Sequence, residues 1–460
     1  MKRGWALAAV VVLAGVQAGC PEYRIVWAPD GTKALVAGED SLYLCDADGK
    51  LQPLARVPRG PMAWTGDSKQ FVIRREIPVK SWEELAAGLP ADQGATIRRF
   101  AEDWLKTFRE HPKATVYRGK LGALMALYLA RHHNEEINRI AQGDWRGKQK
   151  VSPTVDELTL CTLADQKIDM TPICRSALPV ARVKLSPDGK TLAFTADFDL
   201  SRGGSYSLYT AALRPGSVPA LLEPAAGAFD WLASRPSLVF VAAQRGHRLD
   251  VGTTQLWDRD APTPATSPAE DLDKKSPAGR TLNRVKFERD AGIAALADGR
   301  VLFSSRGWAN STPSQWTDGE ESLPSLFVQH LGASGARIVR AQNEEGPFEQ
   351  GLHYFAASPD GRYVVIPTDN GVLLVQELES SASEWIRVAE DIRNSTLPVW
   401  KDKDTFCFVI PEGSVFAFNR AEVVLITIGK RCRWLPWIAT WSCRVISRGW
   451  PNGLMKELDE

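Results

Sequence analysis

A four-residue word, Ser-Pro-Asp-Gly, stands at residues 186–189 and again at 358–361, with degenerate copies at Ala28-Pro29-Asp30-Gly31 and Ala297-Asp298-Gly299. A short apolar run follows each copy: Ala34-Leu35-Val36, Thr191-Leu192-Ala193-Phe194, Val301-Leu302-Phe303 and Tyr363-Val364-Val365-Ile366. Proline is pre-set for the first corner of a type I turn, aspartate suits the second, and glycine accepts positive φ where the chain reverses. A turn word recurring between strand-sized runs calls for a repeat architecture of antiparallel strands. It also restricts what can be said of function, because a repeat scaffold does not declare its ligand.

The position three before the turn aspartate is Trp27, Trp64, Leu185 or Ala357, and Trp231 and Trp400 open two further units that have lost the word. Trp27 to Trp64, Leu185 to Trp231 and Ala357 to Trp400 are intervals of 37, 46 and 43 residues. Such intervals match the roughly 40–45 residues of a four-stranded propeller blade. Units begin near residues 22, 61, 178, 224, 280, 346 and 390. The spacing predicts an all-β chain, a β-propeller of four-stranded blades over residues 21–450. Seven blades are expected, with six or eight as alternatives, and residues 451–460 form a C-terminal tail. A two-sheet β-sandwich also uses such hairpins but gives no reason for a near-regular interval.

These words resemble those of the TolB-like β-propellers, relatives of the WD-repeat propellers. The resemblance rests on Trp-Ala-Pro-Asp-Gly at 27–31, Leu-Ser-Pro-Asp-Gly-Lys-Thr-Leu-Ala-Phe at 185–194, Ser-Leu-Tyr at 207–209 and Ala-Ser-Pro-Asp-Gly-Arg-Tyr at 357–363. It implies a non-enzymatic scaffold of the cell envelope that binds a protein or cell-wall partner. The turn residues Asp30, Gly31, Asp188, Gly189, Asp298, Gly299, Asp360 and Gly361 are then expected to cap hairpins rather than to act as acids or bases.

Residues 1–20 read as an export signal: Lys2 and Arg3, an apolar run from Gly4 to Val16, then small residues and Cys20. Ala18-Gly19-Cys20 resembles the end of a lipoprotein signal with Cys20 as the lipidated residue, while cleavage after Ala18 is the competing route. Seven cysteines in the chain become six if Cys20 is consumed, an even number suited to an oxidising compartment. Cys432 and Cys443 flank a Trp-rich segment and could form a disulfide. Cys45 and Cys161 fall at equivalent third-strand places and read as buried hydrophobes. By resemblance, Pro21 after the lipidated cysteine points to the outer membrane. The expected localisation is therefore periplasmic, with the membrane reached by the lipid anchor only. The chain is expected to be a monomer. Fifty-six basic and 55 acidic residues are interspersed at net charge +1, so no basic footprint for nucleic acid exists.

Between Phe71-Val72-Ile73 and Leu158-Thr159-Leu160 the apolar period switches from two to about 3.6. Ile97, Phe100, Ala101, Trp104 and Phe108 make one stripe, and Leu121, Leu124, Met125 and Tyr128 start another. Ser81 followed by Glu84 is a capping box. Residues 78–150 are thus predicted as a helical insertion in the second blade, either a binding element or a cover for an apolar edge.

Catalytic signatures are missing from the sequence: no Gly-x-Ser-x-Gly elbow, no phosphate-binding loop and no dinucleotide fingerprint. His132 and Glu136 are four apart on a predicted helix, a spacing that permits metal ligation but lacks a His-Glu-x-x-His pattern. His247, His330 and His353 lie in the predicted blades. No catalytic residue, cofactor or metal is expected. The alternative is a channel-active propeller enzyme, a glycan lyase or hydrolase, and the side chains lining the channel would discriminate the two.

Overall fold

A computed structural model of the chain describes residues 25–38, 40–47, 51–57, 60–111, 119–142, 145, 152–164, 167–197, 206–234, 236–243, 254–260, 279–285, 292–305, 325–331, 336–340, 354–367, 372–380, 383–387, 397–411, 421–427, 446–449 and 456–457. The signal segment with Cys20, and the pair Cys432 and Cys443, lie outside these residues.

The chain is a β-propeller of antiparallel, four-stranded units. The first sheet runs β1 (Ile25–Trp27), β2 (Lys33–Ala37), β3 (Leu42–Asp46) and β4 (Leu51–Ala55) in sequence order. The second holds β5 (Met62–Trp64), β6 (Gln70–Pro78), β7 (Thr154–Ala164) and β8 (Lys167–Ser176). Between β6 and β7 lie α1 (Trp82–Ala87), α2 (Ala91–Glu110), α3 (Lys120–His132) and α4 (Asn134–Ala141). Next come β9 (Val180–Leu185), β10 (Thr191–Ala196), β11 (Tyr206–Ala212), β12 (Ala220–Trp231), β13 (Ser237–Ala243), β14 (Thr254–Asp260) and β15 (Gly279–Val285), all in one seven-stranded sheet. β16 (Ile293–Ala295), β17 (Arg300–Ser305), β18 (Ser325–His330) and β19 (Arg337–Arg340) form another four-stranded sheet. β20 (Ala356–Ala357), β21 (Tyr363–Pro367), β22 (Val372–Glu377) and β23 (Ser383–Arg387) begin a six-stranded one. A three-stranded sheet follows, β24 (Val399–Trp400), β25 (Thr405–Pro411) and β26 (Ala421–Thr427). The last two strands, β27 (Ile446–Gly449) and β28 (Lys456–Glu457), join the six-stranded sheet by pairing outside β23.

Hydrogen bonding therefore does not give the expected seven separate four-stranded sheets. Among the described residues there are five sheets of four or more strands and one of three. The reason lies in β12. Its 12 residues run from the outer edge of one unit straight into the inner place of the next, so two units fuse. β27, late in the predicted propeller range, pairs with the sheet before the last one.

The inner strands make the ring. β1 touches β5, β5 touches β9, β9 touches β12, β12 touches β16, and β20 touches β24, which returns to β1. The step from β16 to β20 is an apolar layer in which Leu296, Leu302 and Val328 meet Phe355, Val364 and Ile366. The first and last sheets share a cluster of Ile25, Trp27, Ala34, Val36, Cys45 and Cys407. Among the described residues, no strand of the first sheet joins the last, and the two meet by side-chain packing.

Each turn word performs one local job. Gly31, Gly189, Gly299 and Gly361 take φ of 66°, 67°, 86° and 69°. Asp30, Asp188, Asp298 and Asp360 each accept from the backbone N–H two residues on, at 2.9, 3.1, 3.0 and 3.1 Å. The hydroxyls of Ser186 and Ser358 donate to the same carboxylates at 2.5 and 2.6 Å. Thr65 and Asp67 rebuild the device in the second unit, where Ser68 takes the left-handed conformation at φ 59°. At Gly31 a side chain is excluded twice, by its φ and by the Lys401 carbonyl, which a Cβ would meet at 3.2 Å.

A second recurring contact links neighbouring units. Trp64 Nε1 donates to the Val26 carbonyl at 2.9 Å, Trp231 Nε1 to Lys184 at 3.2 Å, and Trp400 Nε1 to Ala356 at 2.9 Å. Each acceptor immediately precedes the equivalent inner-strand position, Trp27, Leu185 or Ala357, of the unit before. Trp27 closes the circle differently, donating to Cys407 Sγ at 2.9 Å. Cys407 stands opposite Val399, the carbonyl-bearing residue that the pattern would select.

Replacing Trp64 or Trp400 by phenylalanine should cost about 1–2 kcal/mol in urea unfolding, because a partly buried carbonyl loses its donor. Trp27→Phe should cost less, since a thiol is a weak acceptor. Equal losses at the three sites would show that ring volume alone sets the effect.

Candidate functional site

The helical insertion departs most from the repeat, and its attachment defines the candidate site. Ser81 caps α1 by accepting from Glu84 N at 3.2 Å, and Glu84 Oε2 accepts from Lys80 N at 3.0 Å. Acidic Glu83 and Glu84 occupy the first turn, where the helix dipole favours them. Ile97, Ala101, Trp104, Leu105 and Phe108 form the buried stripe of α2. They pack with Leu124, Met125, Tyr128 and Leu129 of α3 and Ile137 of α4. Trp104 stacks on Phe108 with centroids 4.7 Å apart, and Trp82 meets Tyr128 edge-on at 5.0 Å. Val79, Val155 and Ala177 carry the same cluster into the second sheet. Full burial of one such aromatic or aliphatic side chain contributes about 1.5–3 kcal/mol, so this core alone binds the helices to one another and to the sheet.

Buried polar bonds then fix the insertion's orientation. Gln93, wholly buried in the first turn of α2, donates to Ser176 Oγ at 3.1 Å and accepts from Ala177 N at 2.8 Å. Asp92 accepts from the Tyr209 hydroxyl of β11 at 2.6 Å, tying α2 to the third unit as well as the second. Lys120, at the start of α3, lies 2.6 Å from Asp156 Oδ1, and Asp156 Oδ2 accepts from Val180 N at 2.7 Å. Asp156 and Glu157 are both nearly inaccessible. Arg74 lies 3.7 Å from Asp156, and Arg175 lies 3.4 Å from Glu157. Breaking one partner of such a buried pair is far costlier than the pair's net contribution, so the network fixes geometry more than it adds stability.

Burial pushes the Asp92 carboxyl above its ordinary value, partly opposed by the bond from Tyr209. Burial likewise pushes the Tyr209 hydroxyl up, with the Asp92 carboxylate reinforcing it. Four cysteines, Cys45, Cys161, Cys174 and Cys407, are free and buried. Burial raises the Cys45, Cys161 and Cys407 thiols to about 12 and Cys174 higher still, so they are inert core groups.

The residues weighed for metal are otherwise engaged. Glu136 is held by the Arg109 guanidinium through bonds of 2.6 and 3.0 Å. The His132 ring packs on Tyr128 at 4.6 Å. Among the described residues, no group of three or more His, Cys, Asp or Glu could hold a metal ion. His330 is exposed at the end of β18, opposite Arg300, while His247 and His353 lie outside the described residues. On the inner strands, Lys184 lies 2.6 Å from Asp230 Oδ1, and Asp230 Oδ2 accepts from Ala295 N at 2.9 Å. That carboxylate ties three successive inner strands. A cavity between the first two sheets, bordered by Leu42, Met62, Ile73 and Arg74, holds about 10 Å³, enough for one water. Sequence reasoning missed Asp92, Gln93 and Asp156. Their only local signal is a polar residue beside an apolar stripe, which is also the signature of a solvated face.

No family model matches the chain, and no curated protein matches it. Among solved structures it is similar to the β-propeller domain of Cps50 (Swd1) from Myceliophteria thermophila, at 10% identity and TM-score 0.48, covering 89% of this chain and 97% of that one. It is also similar to an oligogalacturonate lyase from Vibrio parahaemolyticus, at 10% identity and TM-score 0.44, covering 75% and 73%. TolB from Acinetobacter baumannii is similar at 14% identity and TM-score 0.35, covering 77% and 60%.

Burial favours the protonated form of Asp92 in the folded chain. Its contribution to docking is fully present below the ordinary 3.8 and is lost as pH rises through the folded-state value. Asp92→Asn, which still accepts from Tyr209, should make the chain more stable at pH 7 and flatten this dependence. Thermal melts of both proteins across pH 4 to 8 check it, and an unchanged slope would remove Asp92 from the account.

Proposed function

We propose that this protein is a non-enzymatic cell-envelope propeller that binds a protein or cell-wall partner through its helical insertion. The observation that carries the reading is the buried attachment of α2, Asp92 to Tyr209 and Gln93 to Ser176 and Ala177. A loose cover for an apolar edge needs only the hydrophobic cluster. Buried polar bonds to two successive units hold α2 at a fixed angle, which suits a surface that must be pre-organised for a partner. Along α2, Arg99, Asp103, Lys106 and Glu110 are exposed over a helix of 20 residues, roughly 30 Å long, while Glu102 accepts from the Tyr128 hydroxyl of α3 at 2.7 Å. The inner strands support the non-enzymatic reading, because their Lys184–Asp230 pair is spent on strand-to-strand contacts.

In this proposal the fused seven-stranded sheet counts as two blades sharing β12 and the three-stranded sheet as one, which makes seven. The proposed location is the periplasm, with export by residues 1–20 and lipidation at Cys20 on the outer membrane. Among the described residues, no helix is long and apolar enough to cross a membrane. β1 begins at Ile25, so the tether from Cys20 spans roughly 18 Å at most and would rest the propeller against the bilayer surface.

Capture from envelope extract tests the platform. Intact protein should retain a partner, and Arg99→Glu with Lys106→Glu should reduce retention at least tenfold while leaving the unfolding midpoint unchanged. Equal retention by the two proteins would refute the platform. Cys20→Ser should move the protein from the membrane to the soluble periplasmic fraction. A wild-type N-terminus without acyl mass would overturn the anchor and leave the binding platform intact.

A further inference from the structure

Three charged side chains form one row across the second sheet. Arg75 of β6 stands opposite Glu157 of β7, and Glu157 stands opposite Arg175 of β8, so the three share a face. Asp156 alternates to the other face and is engaged separately, by Lys120, Arg74 and Val180 N. On one side of the row, Ile73 packs with Met62 in the cluster shared with the first sheet. On the other, Ile77 and Val155 pack with the insertion. The row therefore crosses a gap between two apolar clusters. Its central carboxylate is 5% exposed, while the Arg75 and Arg175 side chains are 37% and 32% exposed.

The charges in this gap do not balance. Arg175 Nε lies 3.4 Å from Glu157 Oε2, and Arg75 Nη1 lies 3.9 Å from Glu157 Oε1. Both distances exceed the roughly 2.7–2.9 Å of a strong charge-assisted bond. One guanidinium is enough to neutralise one buried carboxylate. The second leaves the row at +1, and among the described residues no other carboxylate pairs with either arginine. A surplus charge mostly withdrawn from water is costly unless an anion meets it. The arginines are also held apart from a tighter collapse. Arg175 bonds Glu157 through Nε, and among the described residues nothing hydrogen-bonds its terminal Nη pair. Gly88, the C-cap of α1, makes room for the Arg175 stem, since a Cβ there would lie 3.1 Å from Arg175 Cδ.

We propose that Arg75 and Arg175 form a clamp for one carboxylate, with Glu157 as the positioning residue between them. The guanidinium fork matches the two oxygens of a carboxylate. Net charge selects among oxyanions. A single carboxylate brings the row to neutrality, whereas a phosphate dianion leaves excess negative charge beside buried Glu157. The inference goes beyond the α2 platform and uses none of its residues.

Calorimetric titration of the full chain, at about pH 8 and constant ionic strength, tests the clamp. The probes are acetate, the peptide acetyl-Gly-Glu-Gly-amide, its glutamine counterpart and inorganic phosphate. Wild-type protein should bind both carboxylates, and bind the glutamine peptide and phosphate at least tenfold more weakly. Arg75→Lys and Arg175→Lys keep the charge on Glu157 but lose the fork, so each should weaken carboxylate binding at least fivefold. Glu157→Gln raises the row to +2 and should reverse the order, with phosphate bound more tightly than acetate. Tighter binding of the glutamate peptide than of acetate makes a partner's side chain the source of the carboxylate, and equal binding makes it a free small acid; the clamp stands in both cases. No carboxylate binding by the folded wild type, or equal binding by the lysine variants, overturns the proposal. Should Glu157→Gln fail to fold, the lysine variants decide it alone. Failure here leaves the platform on α2 standing, because capture by the Arg99 and Lys106 variant reports on that surface alone.

Discussion

The tryptophan N–H groups that reach from one inner strand to the backbone of the preceding one set the geometry of the whole ring. A propeller has to repeat the same small rotation between sheets, and apolar packing alone tolerates sliding. An indole placed at one position of the inner strand and bound to one carbonyl of its neighbour does not. Trp64, Trp231 and Trp400 make that bond with equivalent acceptors, at 2.9, 3.2 and 2.9 Å. The ring then has to close on itself. Trp27 meets the Cys407 thiol in the last sheet, so the closing contact repeats the position of the others with a weaker acceptor. Apolar packing around Ile25, Ala34, Val36 and Cys45 supplies the remainder.

In the first two units, turn chemistry and indole chemistry act on the same hairpin, at Trp27 with Asp30 and at Trp64 with Asp67. The Asp and Ser or Thr side chains lock the reversal between the first two strands of a unit, and the tryptophan sits just before that reversal. A turn that slipped by one residue would carry the indole to the opposite face of its strand. Strand register and sheet-to-sheet rotation are thereby coupled. Where the word is degraded, other groups take over. Asp230 bonds Lys184 and Ala295 N on the two flanking inner strands, and Arg300 bonds Asp298 and the Gly361 carbonyl of the next sheet.

The insertion follows another logic. Its helices share one apolar core, but Gln93, Asp92 and Lys120 each reach a polar group of the blades. Burying those groups costs free energy that an apolar seam would not incur. Their presence favours a single docking angle over maximal stability. It also sets a limit on truncation, because removing the helices would uncover Val155, Ala177 and the Tyr209 hydroxyl, which the insertion now covers.

Much of this was legible along the chain, because the information was local. A turn word needs four residues, and an amphipathic helix needs two turns, so the hairpins at Asp30, Asp188, Asp298 and Asp360 and the helices between β6 and β7 could be read from nearest neighbours. The blade interval was legible for the same reason. What could not be read was every contact whose partners are distant in sequence. Trp27 and Cys407 are 380 residues apart, and Asp92 and Tyr209 are 117 apart. No pattern in either segment names the other. The fusion of two units through β12 and the placement of β27 beside β23 were likewise decided in three dimensions. A strand's hydrophobic alternation fixes which face is buried, but its edge bonds with whichever backbone the folded ring brings beside it.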